Sequence, residues 1–365
     1  MMFAKAIRHA VRYFALSFLL VQLSGCAVGY YWQAGAGQMR ITRGQQPVEK
    51  LLDQAELSSE ERQRLELSQR ALAFAHEVML LPDNGSYRSY FDTGERYVVW
   101  NVFAAPALSL EPLTWCFPVA GCIAYRGYFH EEKAQKYADK LAAAENDVFV
   151  GGVTAYSTLG KLKDPLLNTM LAMPEDDFVG LLLHELSHQL LYIKDDSAFN
   201  EGFATAVERE GMRRWQLARD GVQSSGQHSS HDQEQQVLVL LRETRERLAK
   251  VYAADMDDEQ KLAEKARLLA NVVDDYERLT ALWQAEGRAG RPYAGLFAGG
   301  LNNASLSAIA TYDDYVPAFE ELLRNCEYAL ACFYGRAETI GELDAKDRQA
   351  RMQELLSLSE IAGRG

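Results

Sequence analysis

Positive charge is scarce in this sequence. Its 365 residues include 38 lysines and arginines against 51 aspartates and glutamates. Because a nucleic-acid-binding surface needs clustered basic side chains, we expect no nucleic-acid partner. No glycine-rich loop has the strand and helix context of a nucleotide site, and no internal repeat is visible. The hydrophobic content of 48% is enough for a sizeable core, in one large domain or two modest ones.

A hydrophobic run long enough to span a bilayer is also missing, since the apolar stretch at residues 13–23 is too short. Basic residues precede it, so residues 1–25 are predicted to be an export signal that is removed. The sequence Leu-Ser-Gly-Cys at 23–26 resembles a bacterial lipobox, which implies lipidation of Cys26 and a lipid-anchored envelope protein. An inner-membrane lipoprotein would often carry Asp directly after the lipidated Cys. Ala27 at that position therefore favours attachment to the outer membrane, facing the periplasm. The alternative is an ordinary signal peptide or a single anchor helix in which Cys26 is incidental.

Cysteines are few, and four of the five fall into two close pairs, Cys116 with Cys122 and Cys326 with Cys332. Neither pair has C-x-x-C spacing, which excludes a zinc ribbon. An even number of cysteines in an exported chain indicates disulfides, with buried free thiols as the alternative. Each bridge would close a short loop and therefore mainly fix a local turn.

The helix and strand signals predict an α+β fold that is mostly helical, with a small sheet in the N-terminal half and a helical C-terminal half. Ser58 and Glu61 form a capping box before a helix that extends to about Leu80. Residues 87–103 are rich in β-branched and aromatic side chains, with a break at 92–94, which indicates paired strands. Further predicted elements are a helix at 131–144, a strand at 148–156, helices at 175–192 and 197–217, a helix pair across 232–283, and a helix at 315–335.

Four regions follow from this pattern. Residues 1–25 are the signal peptide, 26–46 a lead-in from the lipid anchor, and 47–220 the catalytic region. Residues 221–365 form a helical region that completes the active-site cleft. Within the last region, residues 224–230 are rich in serine and glycine and are predicted to be a flexible linker.

The strongest chemical signal is the segment His184-Glu185-Leu186-Ser187-His188. Two histidines four positions apart project from one face of a helix, so both imidazoles can bind one ion. Catalytic zinc takes three protein ligands and keeps a fourth position for water. Glu185 is placed to take a proton from that water, as the H-E-x-x-H pattern implies. The alternative is a pair of histidines buried in the core.

Glu201 is the predicted third ligand. Residues 194–197 form a turn, Asp196 or Ser197 can cap a new helix, and Glu201 follows near its start. An antiparallel return would bring the Glu201 carboxylate opposite the two histidines. This pattern resembles the gluzincin arrangement, in which a second helix carries N-E-x-x-A, although only thirteen positions separate His188 from Glu201.

The acidic residues around this turn have other interpretations. Glu201 and Glu208 could form a solvated face of the second helix. Asp195 and Asp196 are as consistent with helix caps as with partners that orient the second nitrogen of a histidine. The sequence alone leaves these alternatives open.

The predicted strand at 148–156 contains Gly151 and Gly152. In zincins an exposed edge strand lies above the metal-binding helix and pairs with extended substrate, which is a form of strand addition. The two glycines would allow a substrate backbone to approach closely. An internal strand with a glycine bulge is the alternative.

The chain resembles a family of predicted bacterial aminopeptidases that are exported as lipoproteins. The resemblance covers most of the mature chain and rests on residues 29–33, 113–122, 125–128, 151–160, 199–205 and 300–304, followed by Tyr312. It implies a zincin-like metallopeptidase with Zn²⁺ as cofactor and a peptide as substrate. Asn302 and Asn303 are candidates to bind the substrate backbone. Tyr156, Tyr125 and Tyr312 are candidates to stabilise an oxyanion.

The sequence thus predicts a zinc-dependent peptidase, an aminopeptidase by resemblance. Zinc is held by His184, His188 and Glu201, and Glu185 acts as base and then as acid. Two imidazoles and one carboxylate suit zinc among the divalent ions. One alternative is a metalloendopeptidase that processes envelope proteins. A second is a noncatalytic lipoprotein with a structural metal site.

Overall fold

The computed structural model describes residues 29–55, 57–117, 121–221, 225–288, 290–313 and 315–362. Cys26 and the predicted export signal lie outside these residues. The chain forms two compact units, Met1–Gln45 and Gln46–Gly365. In the first unit, the described residues form a helix, α1, at 29–44. The sequence pattern did not predict this helix. The predicted division of the rest of the chain at residue 220 stays a prediction.

The strands of the described chain are short and form three small sheets. They are β1 (Gln46–Pro47), β2 (Ser89–Phe91), β3 (Val99–Pro106), β4 (Trp115–Phe117), β5 (Gly121–Ile123), β6 (Tyr125–Tyr128), β7 (Asn146–Val153) and β8 (Leu166–Leu167). The sheet orders are β1-β2-β8, β6-β3-β7 and β4-β5. In the second sheet β3 pairs antiparallel with both neighbours, and its pairing with β7 is continuous from Val99↔Val153 to Pro106↔Asn146.

Helices make up most of the second unit. They are α2 (Val48–Leu52), α3 (Ser59–Glu77), α4 (Glu131–Ala142), α5 (Asn168–Leu171), α6 (Glu175–Leu190), α7 (Ser197–Asp220), α8 (Ser225–Ala253), α9 (Asp258–Ala285), α10 (Ala294–Ala298), α11 (Asn303–Asp313), α12 (Val316–Arg324), α13 (Leu330–Gly341) and α14 (Ala345–Ala362). The predicted α+β class, with a small sheet early and helices late, is confirmed. No helix in the described ranges is long and apolar enough to cross a membrane.

The packing of α7 fixes one side of the site. Phe199 and Phe203, one turn apart, both contact the ring of Phe319 from α12, at centroid distances of 4.9 and 5.7 Å. All three side chains are fully buried. Gly202 lies between them, and a Cβ atom there would come within 2.9 Å of Tyr315 Cβ. This aromatic cluster holds α7 in place, and α6 packs directly against α7.

Both predicted disulfides are present, Cys116–Cys122 and Cys326–Cys332. The first joins directly opposite residues of β4 and β5. The second follows α12, which ends at Arg324, and enters α13. The capping box of Ser58 and Glu61 at the start of α3 is also confirmed.

Three local predictions are wrong. The strands within 87–103 do not pair with each other, because β2 pairs with β1 and β8 while β3 belongs to a different sheet. The linker predicted at 224–230 is helical from Ser225, the first residue of α8. The single helix predicted at 315–335 is two helices, since Glu327 and Tyr328 adopt positive φ angles of 50° and 61° that an α-helix does not accommodate.

Candidate active site

Helix α6 carries the H-E-x-x-H segment and is held by its apolar face. It begins directly after Pro174, with three acidic residues in its first turn at the positive end of the helix dipole. Phe178 and Leu186 are buried on the face that packs into the core. This packing sets the rotation of the helix, so that His184 and His188 lie side by side with ring centroids 4.8 Å apart.

Glu201 of α7 reaches both histidines. Its Oε2 atom lies 3.2 Å from His184 Nε2 and 3.6 Å from His188 Nε2. One ligand atom from each of the three residues lies within 4.8 Å of the other two. Imidazole nitrogens and carboxylate oxygens are donors that divalent metal ions accept in proteins. The group therefore fits a metal ion.

The electrostatics of this group keep the carboxylate charged. Burial alone would raise the pKa of Glu201, but His188 and His184 together lower that pKa to about 2. Burial alone would lower the pKa of His184, but hydrogen bonds with Glu201 and Glu208 raise it well above its usual range. A carboxylate must be ionised to bind a metal. Glu201 meets that requirement.

Glu208 supports the first histidine. Its Oε2 atom lies 3.1 Å from His184 Nδ1, so the N–H at that position donates to the carboxylate and Nε2 is left to bind a metal. Gly180 makes room for this contact, because a Cβ atom there would lie 2.9 Å from Glu208 Oε1. Glu208 is therefore only partly solvated, and its carboxylate contacts His184. The signal was its seven-residue spacing from Glu201, which is two helical turns.

The two histidines differ in their support. His184 has a hydrogen bond at each ring nitrogen. In contrast, no described residue hydrogen-bonds to His188 Nδ1, although that atom is buried. The orientation of His188 therefore depends on packing and on the interaction at Nε2.

Glu185 lies beside the metal-binding group and is half-buried. Burial is the main cause that raises the pKa of Glu185, and the negative charges of Glu201 and Asp164 act in the same direction, while the two histidines oppose them. The carboxyl is also electrostatically coupled to Tyr87, whose side chain is only 1% exposed. A partly buried carboxylate with a raised pKa is suited to accept and release a proton.

The connection between α6 and α7 is held at several points. Asn200 accepts the N–H of Ile193 and donates to the carbonyl of the same residue, both at 2.7 Å. Asp196 caps α7 by accepting the N–H of Phe199. Asp195 instead accepts the N–H of Cys122 at 2.6 Å. The predicted role of Asp196 as a cap is therefore present, and the role of orienting a histidine belongs to Glu208.

Strand β7 lies at the edge of its sheet in the described part of the chain, with β3 as its neighbour. Its register with β3 is unbroken, so the alternative of an internal strand with a bulge does not apply. Gly152 has a packing reason to lack a side chain, because a Cβ atom there would collide with the ring of Tyr97. A Cβ at Gly151 would meet the Phe149 ring at 3.3 Å.

Asn302 and Asn303 have structural contacts. The Asn302 side chain accepts the N–H of Ser305 at the start of α11 and donates to the carbonyl of Val148 at 2.9 Å. Asn303 is completely buried. Its amide donates to the carbonyl of Pro106, and its side-chain oxygen accepts the hydroxyl of Tyr252. These contacts tie α11 to the sheet, and none of them points to a substrate.

Two of the three candidate tyrosines pack against other aromatic rings. Tyr156 lies edge-to-face against Phe129, with centroids 5.2 Å apart. Tyr125 packs against Phe103 at 5.5 Å. The backbone of Tyr312 belongs to α11, and its side chain lies outside the described atoms. Their role in stabilising an oxyanion stays a prediction.

Comparison with known proteins adds one finding. No curated protein and no solved structure matches this chain. A family model matches residues 29–352, a range that includes α6 and α7 with the metal-binding group. The match covers far more than half of the chain and supports a peptidase function at a coarse level. The chain therefore belongs to the family described as "Putative aminopeptidase".

Proposed function

We propose that the protein is a zinc-dependent aminopeptidase of the bacterial cell envelope. The observation that carries this proposal is the convergence of His184, His188 and Glu201 next to the half-buried carboxyl of Glu185. Membership of the family supports peptide hydrolysis. The geometry supports a metal-dependent route to it.

Zinc is the ion that this donor set favours. Catalytic zinc sites use three protein ligands of this kind and leave one position open. Ligand atoms about 2.1 Å from a tetrahedral zinc lie about 3.4 Å from one another. Two of the three spacings, 3.2 and 3.6 Å from Glu201 Oε2 to the imidazole nitrogens, are close to that value, and all three ligand atoms lie within 4.8 Å of one another.

When bound, zinc would polarise a water molecule and the carbonyl of the scissile peptide bond. Glu185 takes a proton from the water while the water oxygen bonds to the carbonyl carbon. Glu185 then gives that proton to the amide nitrogen as the C–N bond breaks. No covalent intermediate with the protein forms. Glu208 holds the ring of His184 in the tautomer that this arrangement needs.

Strand β7 is the surface that we propose for the peptide substrate. It comprises eight residues, Asn146–Val153, with one edge paired to β3, and Asn302 already donates to the carbonyl of Val148. An extended peptide that added to the other edge would gain backbone hydrogen bonds without requiring a particular sequence. This proposal replaces the earlier expectation that Gly152 serves substrate approach, since Tyr97 accounts for that glycine.

Hydrolysis of matched peptides tests the activity. The purified, zinc-loaded protein should cleave a short peptide with a free N-terminus and leave its N-acetylated counterpart intact. Glu185→Gln protein measured in parallel excludes a contaminating peptidase. Equal cleavage of both peptides would indicate an endopeptidase. Bound zinc with no cleavage of either peptide would indicate the noncatalytic alternative.

We also propose that lipidation of Cys26 anchors the protein, facing the periplasm from the outer membrane. The lipobox-like sequence at 23–26 supports this, and so does the absence of acidic residues before Glu49 in an otherwise acidic chain, because that segment is not repelled by anionic lipids. Cys26→Ser should release the protein from membranes. A Cys26→Ser variant that still sediments with membranes after a high-salt wash would contradict the anchor.

A further inference from the structure

The metal site depends on a short connection. His188 lies two residues before the end of α6, and Glu201 is the fifth residue of α7. Only residues 191–196 separate the two helices, and they contain no helical turn of their own. Any shift of this connection would change the position of Glu201 relative to the histidines.

The last two residues of the connection have different partners. Asp196 belongs to α7 as its cap, and Arg348 of α14 donates to its other carboxylate oxygen at 2.7 Å. Asp195 has a φ angle of 66°, in the left-handed region that non-glycine residues seldom occupy. Such a conformation persists only when the surroundings hold it.

The hairpin formed by β4 and β5 supplies that support. Its Cys122 N–H donates to Asp195 Oδ1 at 2.6 Å. The neighbouring Gly121 packs so closely that a Cβ atom there would collide with the same Oδ1 and lie 2.8 Å from Lys194 Cγ. The hairpin therefore contacts both the backbone and the side chain of Asp195, the residue that precedes the cap of α7.

A covalent bond keeps the hairpin in shape. Two-stranded hairpins are marginally stable alone, and β4 and β5 pair over only three residues each. The disulfide joins Cys116 and Cys122, which lie directly opposite each other. Trp115 Nε1 also donates to the hydroxyl of Tyr137, which ties the hairpin to α4 at 2.9 Å.

We infer that the hairpin closed by Cys116–Cys122 is a clamp that sets the position of Glu201, with Asp195 as its contact. Asp195 is thus a positioning residue for the metal site, and this inference rests on the proposed function. Without the disulfide, the Cys122 N–H is no longer held against Asp195. The connection then has other conformations available, and Glu201 spends less time within reach of the imidazoles.

The second disulfide provides a matched control, because Cys326–Cys332 spans the same six positions in a different turn. Zinc affinity would be measured by competition with a chelating indicator, together with the visible absorption spectrum of the Co²⁺-loaded protein. The variant Cys116→Ser/Cys122→Ser should bind zinc about tenfold more weakly, as expected for residues that support metal ligands. It should also show an altered cobalt spectrum. The variant Cys326→Ser/Cys332→Ser should match the wild type in both.

Substitutions at Asp195 test the contact without removing a disulfide. Asp195→Asn keeps an acceptor at Oδ1 and tolerates the left-handed conformation, so its zinc affinity should remain within about twofold of the wild type. Asp195→Gly adopts that conformation without strain but has no acceptor, so it should bind zinc about tenfold more weakly with an unchanged unfolding temperature.

The outcomes separate this inference from the proposed function. If the wild-type protein does not bind zinc, the proposed function itself fails. If the wild type binds zinc and the hairpin and Asp195→Gly variants bind it equally well, the clamp is refuted. Equal weakening by both disulfide variants also refutes it, because a general loss of stability would then explain the result.

Discussion

The helix pair α6 and α7 and the helix pair α8 and α9 are joined by similarly short turns but bury different chemistry. The α8–α9 pair buries mainly apolar side chains, among them Leu248 and Trp283, and its buried Lys265 is paired with Asp147 of β7. The α6–α7 pair buries ionisable groups, including His188 and the largely buried Glu201. Burying charge is costly unless it is paired, and a buried ion pair seldom stabilises a fold more than apolar residues would. We infer that α8–α9 mainly stabilises the fold, while α6–α7 retains its charged groups for the proposed metal binding and chemistry.

Loss of Glu185 should stop the chemistry at α6 and leave metal binding intact, which is the largest change in rate that we expect. Glu185→Gln should lower the peptidase rate by about 100- to 10,000-fold, because the proton-transferring group is lost. The zinc content should not change, since His184, His188 and Glu201 remain. Rate measurements and zinc analysis of the same preparation check both statements. A variant with wild-type activity would remove Glu185 from the mechanism.

The opposite behaviour is expected in α8. Leu248 is completely buried, so Leu248→Ala should lower the free energy of unfolding by about 2–5 kcal/mol through lost contacts and a residual cavity. Its zinc affinity should equal that of the wild type under conditions where both proteins are folded. Denaturant titration and a zinc competition assay measure the two quantities. Loss of zinc affinity in the folded Leu248→Ala variant would contradict the conclusion that α8–α9 stabilises the fold without affecting the metal site.

The losses of two carboxylates of α7 should weaken zinc binding to different degrees, because Glu201 would bind the ion itself and Glu208 supports His184. Glu201→Ala should abolish stoichiometric zinc binding, because two histidines alone hold zinc poorly. Glu208→Ala should weaken binding by about 10- to 100-fold, because His184 loses the partner of its Nδ1 atom.

Asp220→Ala is the control for these two variants, since Asp220 lies at the end of the same helix and pairs with Arg219. Its zinc affinity should be unchanged. If Glu208→Ala also binds as the wild type does, its hydrogen bond to His184 does not support the site. If Glu201→Ala keeps a full equivalent of zinc, the third ligand lies elsewhere.

The variant Gly180→Ala should have small effects of opposite sign on stability and on zinc affinity. Gly180→Ala replaces a glycine inside α6, which would favour the helix by up to about 1 kcal/mol. The added Cβ would lie 2.9 Å from Glu208 Oε1 and displace that carboxylate. We expect zinc affinity a few-fold lower with equal or greater thermal stability. A parallel gain in both quantities would show that Gly180 does not reserve space for Glu208.

Short-range geometry explains which parts of the site could be predicted from the sequence. His184, Glu185 and His188 lie within five positions, so helical periodicity alone places them together. Glu201 follows after one short turn, and the turn chemistry indicated the return of the chain. Glu208 shares a face with Glu201, but whether that face meets α6 depends on how Phe199 packs against α12.

Long-range contacts explain what could not be predicted. Asp195 finds its partner 73 positions earlier in Cys122, and no local pattern links the two. The apolar residues of β2 and β3 indicated strands, but not that they would enter different sheets. The break between α12 and α13 was hidden because the apolar pattern continues across Tyr328, whose positive φ angle is not visible in its residue type.

X-ray absorption at the zinc edge of the loaded protein measures whether His184, His188 and Glu201 bind the ion. We expect nitrogen and oxygen ligands at about 2.0–2.2 Å, with the scattering pattern of two imidazoles. Glu201→Ala protein loaded in the same way should retain too little zinc to give this spectrum, because two histidines alone hold zinc poorly. A sulfur shell at about 2.3 Å, or a spectrum without two imidazoles, would show that His184, His188 and Glu201 are not the zinc ligands.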